Sequence, residues 1–295
     1  MTNSIVCFGE VLWDTFESGK KPGGAPMNVA MHLKQQGLNA MIATSVGIDT
    51  TGEDLIKFLK DSEIYSSIIQ RDTELETCVV TVKLDKKQQA TYTIPSPVSW
   101  DNICIVPELV NAADEASVIV FGSLACRHDK TKNTLIHLLQ NSKALKVFDI
   151  NLRAPHYLIA TIKELAMLAD IIKVNDEELD ILTSSKNEVF SIQDKIVHLA
   201  DTLNCTKICV TRGDKGAIVF YDGDFYEHAG YVVEVVDTVG SGDAFLATFI
   251  GSLLKNIPIG KALDDACCMG AFVASNRGAN PVYNLKAINR IRYSS

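Results

Sequence analysis

The chain lacks several features that would point to other kinds of protein. Its cysteines include no Cys-x-x-Cys pair. Cys7, Cys78, Cys104, Cys205 and Cys209 fall in apolar, strand-like contexts, and Cys267 and Cys268 are adjacent. This argues against a zinc site or a disulfide framework, and reduced core thiols are expected. There is no dense Lys/Arg cluster, and the formal net charge is -8, so the footprint of a nucleic-acid binder is missing. No apolar run approaches the roughly 20 residues that span a bilayer. Met1-Thr2-Asn3-Ser4 leads into Ile5-Val6-Cys7-Phe8-Gly9 with neither a basic region nor a small-residue cleavage site. The expected address is cytoplasmic, and the expected partner is a small molecule, with no nucleic acid and no membrane.

Two nucleotide motifs are also missing. No GxxxxGK[ST] occurs, which argues against a P-loop kinase. Gly240-Ser241-Gly242 lacks the third glycine of a dinucleotide fingerprint and comes too late in the chain.

The 295 residues, 47% hydrophobic and 22% charged, suffice for one large domain with a sizeable core. Short apolar runs at 5–9, 40–46, 117–122, 146–150, 171–174 and 207–211 alternate with helical patterns at 26–37, 52–61, 130–142, 156–168, 176–183 and 191–203. This rhythm predicts an α/β fold with a doubly wound, mostly parallel sheet, whose ligands gather beyond the carboxyl ends of the strands. Residues 77–84 and 90–94 flank the polar tip 85–89 and read as an inserted β-hairpin. With no repeat or long linker, the chain is expected to form a single domain, 1–295, carrying a small β-sheet lid from about 10–22 and 76–98. The oligomeric state is not legible in the sequence, although an exposed hairpin offers β edges through which two lids could pair in a homodimer.

The other elements are organised around Val236-Asp237-Thr238-Val239-Gly240-Ser241-Gly242-Asp243-Ala244-Phe245. Phe245, Leu246, Phe249, Ile250, Leu253 and Leu254 recur on a helical face, so a buried helix begins near Gly242. Two glycines remove side chains where a ligand would approach, and the helix start offers free NH groups and partial positive charge, which together suit an anion. Asp243 has two readings there: a first-turn acid favoured by the helix dipole, or a general base beside an oxyanion cradle, as phosphoryl transfer to a hydroxyl requires.

Other polar groups fall at strand ends. Asp14 lies just past the first strand and is either a binder of hydroxyls or a solvated acid. Gly23-Gly24-Ala25-Pro26-Met27-Asn28-Val29-Ala30 is a second glycine turn opening a helix, with Asn28 either capping or facing a ligand. Asp149-Ile150-Asn151-Leu152-Arg153 ends one strand and Lys173-Val174-Asn175-Asp176-Glu177-Glu178 another. Glu178 lies one turn after Asn175, so both reach one ligand through hydrated Mg²⁺, or Asn175 caps the helix. Thr211-Arg212-Gly213-Asp214-Lys215-Gly216 either cradles nucleotide phosphate or is a plain turn.

Taken together, Gly23 to Ala30 and Asp237 to Asp243 resemble the two signatures of the ribokinase-like PfkB sugar kinases, in the same order and separation. The likeness runs nearly the full chain: Gly47 to Gly52 looks like the family's early acidic glycine loop, Asn175 and Glu178 its Asn-x-x-Glu pair, and Thr211 to Gly216 its nucleotide loop. Gly-Gly-Ala-Pro with Phe148-Asp149-Ile150-Asn151-Leu152-Arg153 is most similar to fructokinases. Departures are Val239 for a usual Thr, Ser241 for Ala, Ile48 for an acid and Ile150 for Pro.

The resemblance implies ATP-dependent phosphorylation of a sugar hydroxyl. Asp243 would be the base, and the backbone NH groups of Gly240, Ser241 and Gly242 the anion hole. By the same likeness Asp14, Gly24, Asn28 and Arg153 would hold the sugar, and Asn175, Glu178, Thr211, Gly213 and Asn276 would serve ATP and Mg²⁺. A monovalent cation such as K⁺ would sit on carbonyls of Asp237, Val239, Ala274 and Ala279. Fructose is the leading acceptor. Ribose, 2-keto-3-deoxygluconate and a nucleoside are alternatives, and a non-catalytic sugar- or nucleotide-binding regulator is the reading from another class.

Overall fold

The computed structural model describes residues 4–16, 19–84, 90–183 and 191–293. In chain order its elements are β1 (Ser4–Phe8), β2 (Leu12–Phe16), β3 (Gly19–Gly23), α1 (Ala25–Gln35), β4 (Asn39–Gly47), α2 (Thr50–Asp61), β5 (Ile69–Asp72), β6 (Val79–Leu84), β7 (Ala90–Thr93) and α3 (Pro107–Glu115). There follow β8 (Ala116–Gly122), α4 (Asp129–Asn141), β9 (Leu145–Asp149), α5 (Ile159–Ala166), β10 (Ile171–Asn175), α6 (Asp176–Thr183) and α7 (Ile192–Leu203). The last are β11 (Lys207–Thr211), β12 (Ala217–Tyr221), β13 (Asp224–His228), α8 (Ser241–Leu254), α9 (Ile259–Ala274) and α10 (Leu285–Tyr293).

The doubly wound sheet is present. Nine strands run in the order β13-β12-β11-β10-β9-β8-β1-β4-β5. From β11 to β5 every pairing is parallel, and β12 and β13 extend the β11 side antiparallel. The strand order reverses at β1, whose neighbours are β4 and β8, so the crevice between the carboxyl ends of β1 and β8 is where a ligand is expected. Apolar strands such as Val118-Ile119-Val120-Phe121 are buried on both faces, one side feeding a core with Phe8, Phe148 and Ile172, the other a core with Ile42, Val147 and Leu246.

A second, four-stranded sheet in the order β3-β2-β6-β7 stands apart. It combines the predicted hairpin with two strands, β2 and β3, that the hydrophobic pattern alone does not reveal. β2 pairs antiparallel with β3 and parallel with β6, leaving β3 and β7 as its edges. The hairpin strand begins at Val79 and not at Thr77. Thr77 instead donates its amide to Asp49 at 2.7 Å, and its hydroxyl accepts from Gly47 N at 3.0 Å. The hairpin tip 85–89 lies outside the described residues.

One helix is shorter than expected. The pattern over 156–168 yields only Ile159–Ala166, because a turn in which His156 N donates to Arg153 O at 2.7 Å closes first. Elements beyond the sequence reading are α3, α9, α10, β5, β12 and β13.

Phe121 and Phe148 stack at 5.0 Å between centroids beneath the crevice. Phe121→Ala is expected to lower unfolding free energy by about 3–5 kcal/mol, read as a drop in urea midpoint at unchanged m-value.

Candidate active site

The helix start at Asp243 is built from three distant segments. Gly240 caps α8 in the left-handed region, at φ 79. A Cβ there would lie 2.6 Å from the Cα of Ala279, so this glycine exists because two backbone segments touch. Ser241 donates its amide to Thr238 O at 3.2 Å and its hydroxyl to the same oxygen at 2.8 Å. Of the three amides expected in the anion hole, Ser241's is therefore engaged in a turn. The amide of Gly242, at the second helical position, has no acceptor within its own helix.

Asp243 is held by α1. Asn28 Nδ2 donates to Asp243 Oδ2 at 2.8 Å, and Asn28 Oδ1 accepts from Asn280 Nδ2 at 2.7 Å. Burial, then the charge of Asp149, push the Asp243 carboxyl up to about 6, against the pull of Asn28, Lys173 and Arg153. Beneath Gly242 lies the ammonium of Lys173, 3.4 Å from where a Cβ would be. Lys173 is buried and bonded to both oxygens of buried Asp149 at 2.9 and 3.1 Å. Burial alone would lower its pKa, but the charges of Asp149 and Glu178 outweigh that and raise it.

Across the crevice, Asp14 in β2 faces the exposed Arg153. Burial raises its pKa to about 6, and Arg153 opposes the shift. Gly24 caps α1 at φ 117, and a Cβ there would meet Glu10 O at 2.3 Å. Buried Glu10 is raised to about 7, chiefly by burial; its own amide, Arg153 and the Ala25 amide lower it, and Asp243 raises it. One of its oxygens, Oε2, has no hydrogen-bond partner. Arg153 thus acts electrostatically on Glu10, Asp14 and Asp243 together.

The residues expected to serve ATP and Mg²⁺ take a different arrangement. Asn175 Oδ1 accepts from Glu178 N at 2.7 Å and Glu178 Oε2 accepts from Asn175 N at 2.9 Å, a reciprocal cap on α6. Glu178 Oε1 also accepts from Leu152 N at 2.7 Å, which ties the cap to the loop carrying Arg153. Thr211 ends β11 with its hydroxyl 3.4 Å from Val174 O, and Gly213 opens onto space at φ +58. Asn276 Nδ2 donates to Phe272 O at 2.7 Å at the end of α9. Asp237 accepts from the amides of Val239 and Gly278. The carbonyl of Ala274 accepts from Val236 and Asp237, and that of Ala279 is 2.9 Å from His32 Nε2. The Ala279 carbonyl keeps a second lone pair, whereas both lone pairs of the Ala274 carbonyl are engaged.

In the acidic glycine loop, Asp49 caps α2 and joins it to Thr77, two residues before β6. Burial would raise its carboxyl, but bonds from Thr51, Thr77 and Gly52 outweigh this and hold it at about 2. A Cβ on Gly52 would meet Gly47 O at 2.2 Å.

Glu10, Asn280 and the Lys173–Asp149 pair are additional members of the site. The pair leaves a trace in the sequence, a lysine inside the apolar run Ile171-Ile172-Lys173-Val174. Asn280 leaves none.

A profile described as pfkB family carbohydrate kinase matches residues 2–285. A probable fructokinase-5 of Arabidopsis thaliana is 30% identical over 95% of this chain and 94% of its own. A putative sugar kinase of Pyrococcus horikoshii is 28% identical over 85% of this chain and 83% of its own. The crystal structure of that uncharacterized sugar kinase in complex with ATP aligns at a TM-score of 0.76 and 27% identity, covering 94% of both chains. A fructokinase of Vibrio cholerae, solved with fructose, ADP and potassium ion, aligns at a TM-score of 0.83 and 21% identity over 98% of both chains. Among the described residues no helix is long and apolar enough to cross a membrane.

Carboxyls held above their unfolded values make folding favour the protonated form, so their contribution is present below about pH 4 and lost as pH rises through 6–7. Asp243→Asn removes one such group. It is expected to flatten the decline in stability between about pH 4 and 6 and to raise stability at pH 7 by about 2 kcal/mol, measured by urea unfolding at each pH.

Proposed function

The chain belongs to the pfkB family of carbohydrate kinases, and from that premise we propose that it transfers the γ-phosphate of ATP to a hydroxyl of fructose. The observation that carries the reading is the carboxylate of Asp243 at a helix start, oriented by Asn28 and raised to about 6. A base is most useful when its pKa lies near the working pH.

Asp243 takes the proton from the acceptor hydroxyl as its oxygen attacks the γ-phosphorus in line. The bond to the β-phosphate oxygen breaks, and ADP leaves. The amides of Gly240 and Gly242 and the positive end of α8 receive the developing charge, with Lys173 beneath them. Ser241's amide joins them when its turn to Thr238 opens. On the acceptor side, Asp14 and Arg153 bind hydroxyls, Gly24 lets the backbone come close, and Asn28 sets the base. Closure of the small sheet, acting as a lid over the crevice, would exclude water.

Thr211, Gly213 and Asn276 are assigned to the nucleotide. The valines at 232, 235 and 236, exposed at 91, 60 and 50%, offer an apolar wall for its base. Asn175 and Glu178 fit a hydrated Mg²⁺ through their free lone pairs, and the carbonyls of Asp237, Val239 and Ala279 fit K⁺, since every donor is oxygen, with the Ala274 carbonyl joining them on release of its 3.2 Å bond from the Asp237 amide. When bound, Mg²⁺ supplies neutralisation of phosphate charge.

The test is ATP-dependent phosphorylation of fructose, ribose, 2-keto-3-deoxygluconate, glucose and adenosine, with Mg²⁺, with and without K⁺. Preference for fructose supports the full reading. Preference for another acceptor keeps the mechanism and changes the substrate, and silence on all of them favours a binding regulator. Asp243→Ala is expected to lower kcat by about 10²–10⁴-fold with sugar affinity little changed. For the wild type, kcat/KM should rise with pH through about 6. Near-normal turnover of Asp243→Ala would remove the base role.

A further inference from the structure

His32 lies on α1 one helical turn after Asn28, on the same face, and its side chain is fully buried. Nε2 is 2.9 Å from the carbonyl oxygen of Ala279, and Nδ1 has no hydrogen-bond partner. A carbonyl only accepts, so Nε2 carries the proton and donates it, and Nδ1 is the lone-pair nitrogen of a neutral ring. The ring stacks on that of Tyr283 at 6.1 Å between centroids, and the Tyr283 hydroxyl donates to His32 O at 3.2 Å. For packing alone, a phenylalanine or leucine would fill this position without burying an unpartnered nitrogen. What the histidine adds to an apolar side chain is the bond to Ala279.

That bond is one of three that hold a strap in place. The segment 275–284, between α9 and α10, has no helix or strand of its own, so its ties to other elements decide where it runs. Gly278 N donates to Asp237 Oδ2 at 3.0 Å, Ala279 O accepts from His32, and Asn280 Nδ2 donates to Asn28 Oδ1 at 2.7 Å. Three consecutive residues are tied, two of them to successive turns of α1. The middle one, Ala279, lies directly against the start of α8. A Cβ on Gly240 would be 2.6 Å from the Cα of Ala279 and 2.7 Å from its oxygen. The carbonyl that His32 grips is therefore part of the surface on which Gly240 rests.

We propose that His32 is a positioning residue of the site: by holding the Ala279 carbonyl it fixes Gly240, and with it the amides of Gly240 and Gly242 assigned to the anion hole. One rigid helix then sets both halves of the machinery, Asn28 orienting the base and His32, a turn later, placing the donors that face the phosphate. Without the His32 donor the strap keeps its ties at Gly278 and Asn280, but the residue between them is free to move away from Gly240. A small displacement of donors aimed at developing charge is costly to the rate and has little effect on how the acceptor binds. The kinetic consequence rests on the kinase reading above, and the structural one does not.

The test compares His32→Phe and His32→Leu, which remove the donor, with His32→Gln, whose side-chain amide supplies one in place of Nε2. His32→Phe also keeps a flat ring against Tyr283, and two donorless variants guard against one failing to fold. Amide resonances of ¹⁵N-glycine-labelled full chain report on the helix start without turnover. Those of Gly240 and Gly242 are expected to shift in His32→Phe and His32→Leu and to lie near their wild-type positions in His32→Gln. Gly223, in the turn between β12 and β13, is the control and is expected to stay in place throughout. Unshifted Gly240 and Gly242 in the donorless variants, or the same shift in His32→Gln as in those two, would overturn the proposal.

Turnover supplies the second readout. On the acceptor that wild type phosphorylates, His32→Phe is expected to lower kcat about tenfold with KM for the acceptor little changed, and His32→Gln to recover most of the loss. A role in packing alone gives another pattern, a lower melting temperature in His32→Phe and His32→Leu with kcat per folded molecule unchanged, and that result would also overturn the proposal. Wild type inactive on every acceptor defeats the kinase reading, and the glycine resonances still decide whether His32 places the helix start.

Discussion

The hydrogen bond from Asn28 to Asp243 holds the site together. It joins helices whose residues lie 215 positions apart, and it fixes the rotamer of the only acid at the start of α8. Asn28 donates with its nitrogen and accepts from Asn280 with its oxygen, so its amide cannot flip without losing both partners. The orientation of Asp243 is therefore inherited from the packing of α1 against the sheet and from the segment that follows α9. A carboxylate at a helix start would otherwise rotate toward the free amides and occupy the place of an incoming anion.

Charge is organised around that bond in two layers. The lower layer is the buried Lys173–Asp149 pair. Desolvating two charges seldom gives net stability, but removal of one partner leaves the other uncompensated, so such a pair is best understood through what it does to its neighbours. Here Asp149 raises Asp243 and Lys173 lowers it, and the ammonium lies under the amide of Gly242. The upper layer is Arg153, which acts on Glu10, Asp14 and Asp243 at once. The space between Arg153 and these acids therefore has acceptors on one side and donors on the other.

The regular part of this design was legible in the sequence. Apolar runs such as Ser117 to Gly122 fall in parallel strands buried on both faces, and the helical period after Gly242 marks α8 because tertiary packing and local pattern agree there. Both segments of the small sheet, about 10–22 and 76–98, were expected, but only the hairpin strands showed in the hydrophobic pattern. Gly19-Lys20-Lys21-Pro22-Gly23 has no alternation to betray β3, and its pairing with β2 comes from a partner strand and not from its own residues. The reciprocal cap of Asn175 and Glu178 was one of two readings that the sequence left open; the side chains adopt it, with Glu178 reaching Leu152 as well. Asn280 and Glu10 had no local signal, because their partners are brought by topology.

The glycines carry the most general physical point. In a sequence, a glycine turn before a helix suggests that a ligand comes close to backbone. In this fold Gly240 is pressed on Ala279, Gly24 on Glu10 and Gly52 on Gly47, each closer than a Cβ would permit, while the Cβ position of Gly213 faces open space. Three of these four glycines are therefore required by backbone meeting backbone. The two readings are connected, because loops from β1, β4 and the 274–280 segment can converge on one crevice only if they stack without side chains between them. That stacking brings Glu10, Asn28, Asn280 and Asp243 within one hydrogen-bonded and electrostatic unit. A glycine signature of this type records how the walls of the site are joined, and the ligand's own access follows from that junction.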